Sequence, residues 1–130
     1  MNSNLGSNYS LITDDPRFKE GLTLFNSGEW YLAHDVFEEL WHETDGPERR
    51  TIQGILQIAV AQIHLESGNR NGATILYGEG IGRLKRDGTP ELGIDIKKLC
   101  EVVDCRLKLL QQKIDPINSE LPFLFSKSTE

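Results

Sequence analysis

Only two of the 130 residues are cysteine, Cys100 and Cys105. On one helix their spacing turns them roughly 140° apart, so they cannot bridge each other. Unpaired thiols fit a reducing compartment, and Cys100 reads as a small buried hydrophobe. No apolar run approaches the roughly 20 residues needed to span a bilayer. The opening MNSNLGSNYSLI has neither a basic start nor an apolar core, so a secretory signal is not expected. A membrane is therefore excluded as a partner, and a cytoplasmic location is expected. Sustained period-two alternation between hairpin turns is missing, which argues against strands. There is no CxxC and no Ser/His/Asp or Cys/His nucleophile motif. Gly78-Glu79-Gly80-Ile81-Gly82 has no strand before it and the wrong spacing for a phosphate loop. Closely spaced glycines inside a helix instead allow another helix to approach, at roughly 1 kcal/mol each in helix propensity.

Acidic charge is plentiful and unevenly placed. Residues 1–48 hold ten carboxylates against Arg17 and Lys19, whereas residues 83–113 hold eight bases against five acids. A net charge of -6 argues against nucleic acid as a partner, because non-specific binding needs a basic face to displace counterions. The basic stretch leaves an opening for a phosphate-bearing partner, beside the plainer reading of a solvated helix face.

The length suits one domain able to bury roughly two-thirds of its unfolded surface. Asp15-Pro16 reads as an N-cap followed by proline at the first helical position, and Asn26-Ser27-Gly28 as the stop. Further helices are expected from Glu29 to about Thr44, from Pro47 to Ser67, from Arg70 to Arg86, and after Asp95. In the last, Ile96, Cys100, Val103, Leu107, Leu110 and Ile114 form a heptad-like seam, too short to require a coiled-coil homodimer. Short loops imply antiparallel neighbours, so the expected fold is all-α: a compact antiparallel bundle of about five helices, built as two helical hairpins plus a C-terminal helix. Residues 14–114 would form the bundle, 1–13 a flexible N-terminus, and 115–130 a non-helical tail broken by Pro116 and Pro122. The tail's apolar Leu121–Phe125 patch would wrap onto the bundle or serve as a docking segment. A shift of 40 residues aligns Ser27-Gly28 with Ser67-Gly68, Ala33 with Ala73, Phe37 with Tyr77 and Glu39 with Glu79. Two hairpins of this kind resemble tetratricopeptide-type repeats, although helical hairpins in general share such features.

The second helix carries His34, Glu38 and Trp41 at i, i+4 and i+7, on one face. The third is apolar almost all round, as a buried helix is, yet Gln53, Gln57 and His64 fall within about 40° of each other on it. Such a polar stripe needs polar partners, and the face of the preceding helix is the candidate. Three readings of the resulting seam stand side by side. It could be a network that fixes helix register. It could bind a small molecule, with Trp41, Gln53 and Gln57 lining the pocket. It could also be an acid–base or metal site of a hydrolase, in which His34, Glu38 and His64 would be the catalytic groups or the ligands of a zinc-like ion. His34-Asp35-x-x-Glu38 lacks the second histidine of a zincin motif, and His42 falls off the face.

Taken in order, Phe25-Asn26-x-Gly28-Glu29-Trp30, Ala33-His34-x3-Glu38-x2-Trp41, Gly54-x2-Gln57-x-Ala59, His64-x3-Gly68-Asn69 and Gly72-Ala73 resemble the domain of unknown function family 309. The likeness covers about residues 18 to 84. This chain has His34-Asp35 where the family usually has His-Glu, which keeps the charge on a shorter arm. The resemblance implies a compact all-helical bundle and lends no activity, substrate or cofactor. The remaining candidate partners are a small molecule, another protein, or a second copy of the chain.

Overall fold

The computed structural model describes residues 11–127. Asp15 caps α1 (Pro16–Asn26), its side chain accepting the Arg17 backbone N–H at 2.9 Å, with Pro16 supplying the first helical turn. Helices α2 (Trp30–Glu43), α3 (Glu48–Glu66), α4 (Arg70–Lys85) and α5 (Ile96–Gln111) follow. They form an all-α bundle of five helices, as the periodicity and short turns implied. Among the described residues no helix is long and apolar enough to cross a membrane. Residues 1–10, most of the expected flexible N-terminus, lie outside the described residues.

The forty-residue echo is a structural one. Both hairpin turns close the same way: Gly28 N–H donates to Phe25 O and Glu29 N–H to Leu24 O, as Gly68 N–H does to Leu65 O and Asn69 N–H to His64 O. Each needs a residue at positive φ, 78° at Gly28 and 80° at Gly68, where glycine carries no Cβ penalty. Ala33 and Ala73, and Phe37 and Tyr77, are equivalent and wholly buried. The core runs through the faces these residues share with Phe25, Leu40, Ile52, Ile55, Ile58 and Leu99.

Helices α3 and α4 approach closely at Gly54 and Gly80. A Cβ on Gly80 would lie 3.0 Å from the Gly54 carbonyl oxygen, and one on Gly54 would lie 2.7 Å from Leu84 Cγ. Of the four glycines in α4, Gly72 packs against Asn69 and His64 at the turn and Gly80 against α3, whereas Gly78 and Gly82 open onto free space.

The expected seam of α5 faces the core: Ile96, Cys100, Val103 and Leu110 are buried and Leu107 packs against the core while partly exposed. The buried face is wider than that seam, taking in Leu99, Val102 and Arg106 as well, and Leu99, Val103, Arg106 and Leu110 repeat its four-three-four spacing. Ile114 lies past the helix end and is exposed.

The tail wraps onto the bundle after one 3-10 turn, Pro116–Asn118. The side chain of Asn26 grips it at both sides of one residue, accepting Leu124 N–H at 2.7 Å and donating to Leu124 O at 3.2 Å. Ile94 and Ser126 form an antiparallel bridge, with Asp95 N–H donating to Phe125 O. Extended backbone turns Pro122 and Leu124 inward and Leu121, Phe123 and Phe125 outward, so the apolar patch is divided between core and surface.

Arg17 ties the start of α1 to the end of α2, with its guanidinium 2.8 Å from Asp15 and 2.7 Å from Glu43. Hydrogen bonding from Arg17 holds both carboxyls below their ordinary range. Depressed carboxyl pKa values stabilise the fold above the unfolded values of roughly 4, and that contribution is lost as pH falls through the folded values. Urea midpoints measured between about pH 6 and pH 2.5 should therefore fall with acid, and Arg17→Met should flatten part of that fall. An unchanged slope in the variant would remove this knot from the acid response.

Candidate functional site

The structure places the expected seam residues on several elements. On α2, His34 is half-buried and its Nδ1 lies 3.2 Å from Asp35 Oδ1, while Glu38 is exposed. Trp41 carries the Arg49 guanidinium over its ring at 3.8 Å. Its Nε1 is buried, the one such side-chain nitrogen or oxygen without a hydrogen-bond partner among the described residues. His42 is exposed. On α3, Gln53 is half-buried, and Gln57 turns to α4, donating to Glu79 Oε1 and accepting from Arg83 Nε, each at 2.9 Å. His64 stands at the α3–α4 turn, with Asn69 Nδ2 3.2 Å from its Nδ1. No hydrogen bond joins the α2 group to the α3 group among the described residues. There too, no three His, Cys, Asp or Glu side chains are grouped to hold a metal ion. Helical periodicity gives the azimuth of a residue on its own helix; it does not say which neighbour covers that azimuth.

A different polar group occupies the interior. Gln62 and Arg106 are 4% and 3% exposed, and Tyr77 is sealed between them. Arg106 Nε donates to the Tyr77 hydroxyl at 2.8 Å, and that hydroxyl hydrogen-bonds to Gln62 Oε1. Arg106 Nη1 donates to the Pro116, Ser119 and Glu120 carbonyls and to Ser119 Oγ, so one buried guanidinium fastens α5 to the tail turn. Burial raises the Tyr77 pKa, against the pull of Arg106, so the phenol stays protonated.

Protonation fixes the direction of the whole chain of bonds. A guanidinium can only donate, so the Tyr77 oxygen accepts from Arg106 and must spend its own proton on Gln62. Gln62 therefore turns its carbonyl to Tyr77 and its NH₂ away. Gln62 Nε2 and Arg106 Nη2 make no hydrogen bond within the described residues, and neither is sealed from solvent. Both residues line one cavity of about 550 Å³. It lies where the two hairpin turns meet the tail, with Gly28 and Gly68 on the rim, Trp30, Leu65 and Leu121 as apolar walls, and Arg70 and Asp115 among its lining. Those last two form an ion pair at 3.1 Å, each about half exposed. No carboxylate lies within ion-pair distance of Arg106 among the described residues.

Sequence reasoning passed over Gln62 and Arg106, and Tyr77 entered it only as the counterpart of Phe37 in the forty-residue echo. The available signal was an arginine spaced three and four residues from Val103 and Leu110 in an apolar stripe, a position where charge is costly unless partnered.

Residues 18–76 match the model of a protein family described as Domain of unknown function (DUF309), the family that the sequence motifs resemble. The matched stretch takes in α1, α2, α3 and the first part of α4. It therefore includes Trp30, Gln62 and Arg70 of the cavity but not Arg106 or the tail. No curated protein matches the chain.

Proposed function

We propose that this chain is a binding domain for a small molecule with an apolar body and an anionic end, held in the cavity between the hairpin turns and the tail. The observation that carries this reading is the polarity of the Gln62–Tyr77–Arg106 chain, which leaves two unengaged donors on buried residues at one cavity. Donors without acceptors select for a carboxylate or similar group, and a buried guanidinium without a counter-ion gains most from one. The cavity of about 550 Å³ falls within the range of ligand sites, about 300–1,000 Å³. Trp30 and Leu65 would cover the apolar body.

Trp30 also reports on occupancy. In a Trp41→Phe background it is the only tryptophan, and its emission should change saturably with phenylacetate or hexanoate and not with the matching amides. Gln62→Glu keeps the acceptor for Tyr77 but replaces the free donor with a negative oxygen, so it should abolish the response without unfolding the chain. Equal responses to acid and amide, or a response that survives Gln62→Glu, would sink the reading.

A second reading keeps the ligand on the α2–α3 face, with Trp41, Gln53 and Gln57 as binding residues and His34, Glu38 and His64 as chemical groups. The partnerless Trp41 Nε1 favours it. Loss of carboxylate binding on Trp41→Phe alone, measured by calorimetry, would select it over the cavity.

A further inference from the structure

At the opposite end of the α3–α4 hairpin from the cavity, three arginines converge. Arg50, near the start of α3, and Arg83 and Arg86, at the end of α4, line an open groove of about 360 Å³ with Gly82 and Glu79. None of the three forms an ion pair among the described residues, in a chain with 20 acidic side chains against 14 basic ones. Unpaired arginines gathered in so acidic a chain call for an explanation beyond surface solubility.

Two of the guanidiniums are held in place by neutral groups. Arg50 Nε donates to Thr89 Oγ1 at 2.6 Å, and that hydroxyl donates to Arg83 O at 3.0 Å. Arg83 Nε donates to Gln57 Oε1, while the Gln57 amide nitrogen occupies Glu79, the groove's one carboxylate. Two guanidiniums are thus fixed by their Nε edges, and Arg50 Nη1 and both terminal nitrogens of Arg83 have no partner among the described residues. Cations at the C-terminal end of a helix also offset its dipole, which accounts for the charges of Arg83 in the last turn of α4 and Arg86 at its C-cap. It does not account for Arg50, at the other helix's beginning, or for a glutamine that keeps the local carboxylate engaged.

We propose that this groove binds a phosphate group, as the free ion or as a small phosphomonoester, on the guanidiniums of Arg50, Arg83 and Arg86. The free fork of Arg83 matches the tetrahedral oxygens of phosphate bidentately, Arg50 adds its unengaged Nη1, and pre-positioned guanidiniums lose little freedom on binding. Gly82, at whose position a Cβ would meet nothing within 4 Å, leaves the floor of the groove open to the ligand. Gln57 acts as a positioning residue, steering Arg83 and withholding Glu79.

The test is nitrogen–proton NMR of the full chain, titrated with inorganic phosphate and, separately, with glycerol 3-phosphate, against sodium chloride at matched ionic strength. Saturable shifts should concentrate on the Nε–H signals of Arg50 and Arg83 and the Gly82 amide. Arg83→Gln should weaken binding roughly tenfold, the scale of one charge-assisted contact. Gln57→Met should weaken it severalfold with all three arginines present. Tighter binding of the ester would assign the site to a phosphomonoester; equal binding would assign it to the phosphate group alone. Shifts that chloride reproduces, that never saturate, or that map to the Arg106 cavity would overturn the proposal, and none of these bears on carboxylate binding there.

Discussion

Arg106→Met is expected to destabilise the folded chain by about 2–4 kcal/mol, the scale of several buried neutral acceptors losing one shared donor. Methionine fills much of the stem volume, so the loss is one of hydrogen bonds. The Tyr77 oxygen loses its donor, and the Pro116, Ser119 and Glu120 carbonyls lose the guanidinium that gathers them. Each buried polar group left unsatisfied costs about 1–3 kcal/mol, offset where water reaches the opened turn. Arg106→Lys should fall between, because an ammonium keeps the charge but cannot reach Tyr77 and the tail turn together. Urea unfolding followed by circular dichroism measures both variants. Hydrogen exchange at the Leu124 amide should also quicken as the tail loosens, unless Asn26 alone holds it. A loss under about 1 kcal/mol for the methionine variant would mean that the guanidinium contributes little to the fold.

The second large effect is at the α3–α4 contact. Gly80→Val places branched carbon against the Gly54 carbonyl and Ile58, at an approach of 3.0 Å already tight for a single Cβ. Backbone cannot yield as a side-chain tip does, so the helices must separate, at about 2–3 kcal/mol after the small gain in helix propensity. Gly78→Ala and Gly82→Ala should go the other way, each stabilising by roughly 0.5–1 kcal/mol, because nothing crowds either position and alanine restricts the unfolded chain. Thermal melts of the three variants decide it. Equal destabilisation by all three would show that the glycines act through α4 flexibility instead of close approach.

Much of the architecture was legible without coordinates. Asp15-Pro16, Ser27-Gly28, Ser67-Gly68 and Asp95 mark helix ends by local hydrogen bonding and backbone freedom, which depend on a few neighbouring residues. For the same reason the echo between the two hairpins appears in the sequence and again in the turns. The α5 seam was legible in spacing and phase but not in width. Leu99 and Arg106 share the inward face with Cys100 and Val103, and the long stem of arginine let its charge read as surface.

The candidate sites divide along the same line. The polarity of His34, Glu38, Trp41, Gln53, Gln57 and His64 and their azimuths on two helices could be read directly, since both follow from residue type and a 3.6-residue repeat. Their partners could not. Gln57 meets Glu79 and Arg83 on α4, His64 meets Asn69 at a turn, and Arg50 meets Thr89, thirty-nine residues on. By itself the sequence determined the helices, their ends, their pairing into hairpins and the family they resemble, because local periodicity and capping are short-range. Only the tertiary structure decided that Gln62, Tyr77 and Arg106 would share the interior and that three arginines would share a groove. Those meetings depend on which helix faces cover one another, and that is settled by packing of the whole chain.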